Sequence, residues 1–386
     1  MTSTADASLL PAILDEIEGA GPIPFSRFME LALYHPQAGY YTRGLGGGNG
    51  RDYVTSSGLH RAYGALIARQ AAEMWSLAGA PDRFEFVEFG PGEGFFAADF
   101  LAAAAAQPPF ARALSYVLVE TSPALRGRQQ ARLERLRPGG GVSAIPVAWS
   151  SLEELEARGV GCGCLFANEV LDALPVHRVV GAPGGPREVH VAIAPGGGLR
   201  EVLLPLSTDA IGAFLNEGGI RPAPGQEVDI SLDAPRTVGR WGRLLRRGWL
   251  LIVDYGHPAP DLYHPARRRG TLLAYHRHRA GEDFLARPGE QDLTAHVDFS
   301  AISAAAVESG LRFAGDTGQA EFLLALGALE FFEKADLKER EALKDLILPD
   351  RMGGVFRVMV FDRGGLPAGL RGLSAPWRAA AARTGE

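Results

Sequence analysis

Apolar residues recur at helical spacing over residues 7–34, with Leu9, Leu10, Ile13, Leu14 and Ile17 on one stripe and Phe25, Phe28, Met29 and Leu33 on a second. Pro22 and Pro24 stand between the stripes, so two short helices are predicted rather than one. The next stretch, GYYTRGLGGGNGRDYVTSSG, has no period and is rich in glycine and serine. Tyr40, Tyr41, Tyr53, Thr55 and Ser56 give it aromatic and hydroxyl groups, so it reads as a functional lid rather than a bare linker. A helix is predicted over about 59–78.

From residue 84 the pattern changes to strand, loop, helix. FEFVEF (84–89), SYVLVE (115–120), a short run at 144–147, CLFANEV (164–170) and GWLLIVDYG (248–256) read as strands with nearly continuous apolar character. Helical segments follow the first two, from Phe95 to about Ala106 and through RGRQQARLERL. Such alternation predicts an α/β, Rossmann-like fold whose mostly parallel sheet is covered on both faces. Between about 176 and 235 the alternation stops, and HRVVGAP, REVHVAIAP and REVLLPL read as antiparallel hairpins inserted between the fourth and fifth strands. Further on, a helix is predicted at 298–309, a strand at 311–316, a charged amphipathic helix at 328–346 and a last strand at 355–362, before an Ala/Gly/Arg-rich tail.

The first strand runs into FGPGEGF, where Gly90, Gly92 and Gly94 alternate around Pro91 and Glu93. Glycine is required where φ is positive or a ligand approaches the backbone closely. A dinucleotide fingerprint would need glycine at 95, where Phe95 stands, and no Lys-Ser or Lys-Thr follows to make a phosphate loop. The pattern E-x-G-x-G-x-G suits S-adenosylmethionine, with Glu88 placed to take the methionine ammonium. Glu120 at the end of the second strand can accept both ribose hydroxyls, a geometry that serves any adenosyl ligand. Asn168 and Glu169 fall at the carboxyl edge of the fourth strand, and Asp172 lies three residues on. A helical start there would put both carboxylates on one face, and paired acids beside a sulfonium suggest a cationic acceptor such as a guanidinium.

Composition narrows the field. The chain has 386 residues, 46% hydrophobic and 22% charged, with a formal charge of −6 that argues against a nucleic-acid-binding surface. No apolar run reaches the roughly 18–20 residues of a membrane span. The acidic, arginine-free N-terminus lacks the marks of a signal or transit peptide, so a cytoplasmic protein is expected. Cys162 and Cys164, the only cysteines, read as small packing residues, and no metal site is expected. His296 reads as a structural histidine, and the YHRHR run as a solvated loop.

VEFGPGEG, ANEVLDALPVHRV, LIVDYGH and GEQDLTAHVDFS together resemble the MidA-like methyltransferases, a family that includes the mitochondrial complex I assembly factor acting as a protein arginine methyltransferase. The resemblance implies a class I S-adenosylmethionine-dependent methyltransferase fold with a seven-stranded sheet. It divides the chain into an N-terminal helical region with its lid (1–80), the two halves of the core (81–176 and 236–365), an inserted substrate or partner region (177–235) and a tail (366–386). Carried over by motif, Gly90, Gly92 and Gly94 line the cofactor, Glu120 takes the ribose, and Asn168 and Glu169 lie beside the methyl donor. Asp254 and Asp298 match positions near the same sheet edge. The expected acceptor is a protein arginine, on a complex I subunit in the family's characterised activity. Glu169 would fix the guanidinium with Asp172 or Asp298 assisting, while Tyr53, Thr55 and Ser56 would close over the cofactor. Two other readings stand beside this one: a small-molecule methyltransferase, and a catalytically silent assembly factor that still binds the cofactor. A homodimer is compatible with all three readings. The chain departs from the family pattern at Arg51, Ser57 and Gly58, where glycine, proline and glutamate are usual, and at Glu93, where the loop often carries arginine.

Overall fold

A computed structural model describes residues 8–45, 56–136, 144–367 and 369–374. The chain forms two compact units, one of Met1–Tyr53, Leu171–Val238 and Gly256–Ala305, the other of Val54–Val170, Gly239–Tyr255 and Ala306–Glu386. Among the described residues no helix is long and apolar enough to cross a membrane.

The second unit is built on β1 (Phe84–Phe89), β2 (Leu114–Val119), β3 (Val147–Ser150), β4 (Gly163–Asn168), β5 (Gly248–His257), β6 (Arg312–Gly318) and β7 (Phe356–Arg363). Their order across the sheet is β6-β7-β5-β4-β1-β2-β3. β1 to β5 run parallel, and only β7 reverses, pairing antiparallel with both β5 and β6. The order turns back between β1 and β4, and ligands of open α/β sheets bind outside the carboxyl ends of the strands at such a switch point. Gly90, Glu120 and Glu169 each directly follow or lie just beyond one of these ends.

Strands of β-branched and aromatic residues suit a sheet buried on both faces. On one face Phe86, Phe96, Phe100, Tyr116 and Phe166 make a continuous ring cluster, with Phe86 and Phe100 centroids 4.2 Å apart and Phe96 and Phe166 4.6 Å apart. Burying each such ring is worth roughly 1.5–3 kcal/mol, so the cluster anchors the helix Phe95–Ala105 that follows the glycine loop. The helix Ala62–Leu77 lies against it because Gly64 has no side chain. A Cβ there would sit 2.8 Å from Asp99 Cβ and 2.9 Å from the Phe100 nitrogen. That close approach holds Tyr63, one residue earlier, beneath the carboxyl end of β4.

The first unit begins with the two predicted helices, Leu10–Ala20 and Phe25–Tyr34, joined through Ile23–Pro24. The inserted segment is antiparallel as expected. Arg187–Ile193 pairs with His177–Val180, Leu199–Leu204 and Ile23–Pro24, and His177–Val180 pairs with Glu227–Ile230. A three-stranded sheet of Arg279–Gly281, Leu273–His276 and Asp292–Thr294 lies in the same unit, as does the short parallel pairing of Gly256 and His257 with Val297 and Asp298.

Two predicted elements are displaced. The third strand begins at Val147 rather than 144, because Pro146 has no N–H to give the ladder and offers only its carbonyl, which accepts from Tyr116 N at 2.9 Å. The helix predicted at 328–346 is two helices, Leu329–Phe332 and Leu337–Ile347. The break falls where Asp336 accepts from Glu339 N and Glu339 returns a bond to Asp336 N, a capping box that starts a new helix.

Candidate functional site

Gly90, Gly92 and Gly94 all adopt left-handed backbone, with φ of 62°, 52° and 77°. A Cβ at Gly90 would lie 2.9 Å from Val170 Cγ2, whereas one at Gly92 would meet nothing within 4 Å. The loop therefore needs glycine for its path, and Gly92 faces open space. The turn is closed by Gly94 N donating to Pro91 O at 2.9 Å, and Gly94 caps the eleven-residue helix Phe95–Ala105. Glu93 faces two arginines, with Arg128 Nη1 at 3.8 Å and Arg132 Nη2 at 3.7 Å. Arg132 also donates to the Glu93 carbonyl and lies 3.4 Å from the Phe95 ring centroid. The acid at the position where the family pattern often has arginine is thus matched by arginines from the helix Pro123–Glu134.

Gln129 locks the loop from beneath. Its Nε2 donates to Gly92 O at 2.7 Å and to Glu120 Oε2 at 3.1 Å, and its Oε1 accepts from Trp149 Nε1 at 2.8 Å. It is fully buried. Sequence reasoning missed it, although Gln129 stands midway between Leu125 and Leu133 on the buried stripe of the helix Pro123–Glu134, an unusual place for a polar side chain. Gln129→Ala is expected to weaken S-adenosylmethionine binding about tenfold, since two bonds worth roughly 0.5–1.5 kcal/mol each are lost. Calorimetric affinity equal to the parent's would remove Gln129 from this positioning role.

Two carboxylates flank the loop. Glu88 is buried, accepts from Tyr116 Oη at 2.6 Å, and has its pKa pushed up to about 8, chiefly by burial, with the Tyr116 bond opposing and the Glu120 charge adding to the rise. Glu120 accepts from Ser122 N at 2.7 Å and from Gln129; burial raises its pKa and these bonds pull against it. A carboxylate offers about four acceptor positions, so Glu120 has capacity left for a pair of hydroxyls.

At the end of β4, Glu169 adopts φ of 54°, rare for a residue with a side chain. Its amide donates to Val253 O at 2.9 Å, and its Oε1 accepts from Ser56 N at 3.0 Å and Asn168 Nδ2 at 2.9 Å. Tyr63 donates to Asn168 Oδ1, which fixes the amide so that its NH2 faces Glu169. Burial, then the charges of Glu169, Asp254 and Glu88, raise the Tyr63 pKa well above its ordinary value, keeping the phenol a donor. Ser56 is held in turn by Oγ donating to Gln319 Oε1 at 3.0 Å. Asp254, buried on β5, accepts from Val170 N at 3.3 Å and Tyr255 N at 2.9 Å and so supports the loop after Glu169. Tyr63, Gln319 and the supporting role of Asp254 emerge only from the three-dimensional arrangement.

Of the expected site residues, Glu88, the three glycines with Pro91, Glu120, Ser56, Asn168 and Glu169 belong to the second unit. Tyr53 and Thr55, like Arg51, lie outside the described residues. Asp172 and Asp298 belong to the first unit. The helical start that would align Glu169 with Asp172 does not form, because the left-handed backbone at Glu169 is incompatible with a helix and a turn follows. Asp172 is buried, and its carbonyl accepts from Ala295 N. Asp298 serves the helix Phe299–Glu308, accepting from Ser300 N at 2.9 Å and Ala301 N at 3.0 Å, with Tyr263 as a further donor and burial raising its pKa. His296 is a half-buried ring beside His257, its pKa brought down to about 4 by desolvation first. Among the described residues no group of three His, Cys, Asp or Glu side chains is placed to hold a metal ion.

An open glycine cradle, an acceptor for vicinal hydroxyls and a buried carboxyl short of a counter-charge match a ribose and an ammonium, and there is no basic group for a pyrophosphate in the loop. With the strand order above, they define an adenosyl-binding protein of class I methyltransferase architecture. The family described as S-adenosyl-L-methionine-dependent methyltransferase matches residues 66–317. A protein from Burkholderia thailandensis, solved with S-adenosyl-homocysteine bound, is 34% identical with a TM-score of 0.83, covering 95% of this chain and 94% of that one. The mitochondrial protein arginine methyltransferase NDUFAF7 homolog of Drosophila melanogaster is 30% identical over 94% of this chain and 86% of its own length. The NDUFAF7 protein arginine methyltransferase of Mus musculus is 30% identical over 83% and 74%. The chain belongs to this family and is an S-adenosylmethionine-dependent methyltransferase.

Proposed function

We propose that the enzyme methylates the guanidinium of an arginine in a protein, and that Glu169 is the residue that holds this acceptor. One observation carries the reading: a carboxylate at the switch point, fixed by strained backbone and by two donors on a single oxygen. Backbone strain of this kind persists where the surrounding structure enforces it, and it clusters at functional sites. The names of the insect and vertebrate relatives support the same acceptor.

The bound cofactor supplies an electrophilic methyl on a sulfonium. The chain must position the acceptor and manage its proton. Arginine has a pKa above 12, and its protonated form is a poor nucleophile. Ser56 N and Asn168 Nδ2 occupy Glu169 Oε1, which fixes the direction in which the carboxylate can meet a guanidinium. That contact concentrates electron density on the nitrogen to be methylated and gives the departing proton an acceptor. Alignment of this kind lowers barriers by roughly 7–11 kcal/mol in well-oriented reactions. For the identity of the protein, a respiratory complex I subunit is the acceptor that the family resemblance implies.

The test is transfer of a labelled methyl group from S-adenosylmethionine to protein, followed by hydrolysis and amino-acid analysis. Label in methylarginine is expected. Label confined to a small metabolite would replace this reading with the second one, and absence of any transfer despite cofactor binding would favour the silent assembly factor.

A further inference from the structure

The chain as a whole is acidic, yet residues 264–287 hold six arginines against only two acids, Glu282 and Asp283. Glu282 is already paired with Arg269, and Arg268 donates to the Pro224 carbonyl. A cleft of about 600 Å³ in the first unit is lined by Arg277, Arg279 and Arg287 with His276 and Gln291. Asp283 is the one acid on its walls among the described residues. Arg279 and Arg287 are exposed, and neither has an ion-pair partner among the described residues.

The backbone beneath adds a second observation. Arg279–Gly281 is the outer strand of its three-stranded sheet, paired only with Leu273–His276, and no other described strand covers its free side. The hairpin joining the two is a two-residue turn with φ of 49° at Arg277 and 60° at His278. Asn-Gly is the preferred pair for such a turn, because both residues must be left-handed. Two large basic side chains are therefore held at a position that local backbone energetics disfavours, beside an open strand edge. The floor of the cleft is small and apolar, at Ala274, Ala280 and Gly281. An extended peptide can pair with a free edge through its backbone while its side chains select charge.

We propose that this cleft docks an acidic, extended segment of the protein that the enzyme methylates, an assignment that rests on the protein-methyltransferase reading. An acidic peptide is favoured over nucleic acid because three arginines beside one acid form a compact patch. Nucleic-acid binding calls for a longer basic stripe, and the chain as a whole carries a formal charge of −6.

The experiment measures the anisotropy of fluorescein-labelled octaglutamate with the full chain, using octathymidylate as the competing polyanion and calorimetry of S-adenosylmethionine as a separate readout. Octaglutamate is expected to bind more tightly than octathymidylate. Arg279→Glu/Arg287→Glu should weaken it by about tenfold or more while cofactor affinity stays unchanged. The matched pair Arg126→Glu/Arg135→Glu, which makes the same change in net charge elsewhere, should weaken it much less. No binding of octaglutamate, equal loss in both double variants, or tighter binding of octathymidylate would overturn the docking site. Those results with normal cofactor binding would leave the methyltransferase reading standing, so the two failures are distinguishable.

Discussion

Glu169→Gln is expected to lower methyl transfer by about 10²–10⁴-fold, the usual contribution of a positioned acid or base, while S-adenosylmethionine still binds within roughly threefold of the parent. The substitution keeps the shape of the side chain, and its Oε1 can still accept from Ser56 N and Asn168 Nδ2 at about the present 3.0 and 2.9 Å. What it removes is the negative charge. A neutral amide cannot make the charge-assisted, two-point contact that orients a guanidinium, nor can it take up the proton released on methylation. A rate equal to the parent's would show that another group does this work. Loss of cofactor binding would instead assign Glu169 to the cofactor alone. Tyr63→Phe separates positioning from chemistry: it frees the Asn168 amide to rotate and should cost far less than Glu169→Gln, with its effect on kcat rather than on cofactor affinity.

Much of this site could be read along the chain because its strongest constraints are local. Left-handed backbone at Gly90, Gly92 and Gly94 demands glycine, so the loop announces itself, and strands buried on both faces leave apolar runs that end at Phe89, Val119 and Asn168, next to Glu88, Glu120 and Glu169. Gln129, Tyr63 and Gln319 were silent because their roles depend on partners 37, 105 and 263 positions away. The sheet of Leu273–His276, Arg279–Gly281 and Asp292–Thr294 was also missed. Its strands are three or four residues long and carry Arg, His and Gly instead of alternating apolar residues. The pairing of Asp172 with Glu169 failed for the opposite reason. Sequence spacing supplies a helical face only if the backbone is helical, and φ of 54° at Glu169 is not.

The affinity for S-adenosylmethionine is expected to rise with pH by up to about tenfold per unit between about pH 5 and 7, and to level off near pH 8. The cause is Glu88, whose pKa stands at about 8 in the cofactor-free protein against an ordinary 4.5. Below pH 8 the buried carboxyl is mostly protonated and cannot serve as counter-ion to an ammonium. Binding a cation beside it stabilises the carboxylate, lowers the pKa and expels a proton, so binding strengthens as protons become scarcer. Above about pH 8 Glu88 is already ionised, and an α-amino group, with a reference pKa of about 7.7–8.0, begins to lose its own charge. The stability of the cofactor-free protein should move the other way. The folded state keeps a proton that the unfolded chain has released above about 4.5, so this contribution is full below that pH and is lost as pH rises toward 8. Calorimetry at pH 7 in buffers of different ionisation enthalpy should register release of nearly one proton on binding. Glu88→Gln, which keeps an acceptor for Tyr116 rotated to suit, should abolish both the release and the acid limb of the profile. A parent protein whose affinity is flat from pH 5 to 7, with no proton released, would place the ammonium elsewhere and leave Glu88 as a neutral, buried partner of Tyr116.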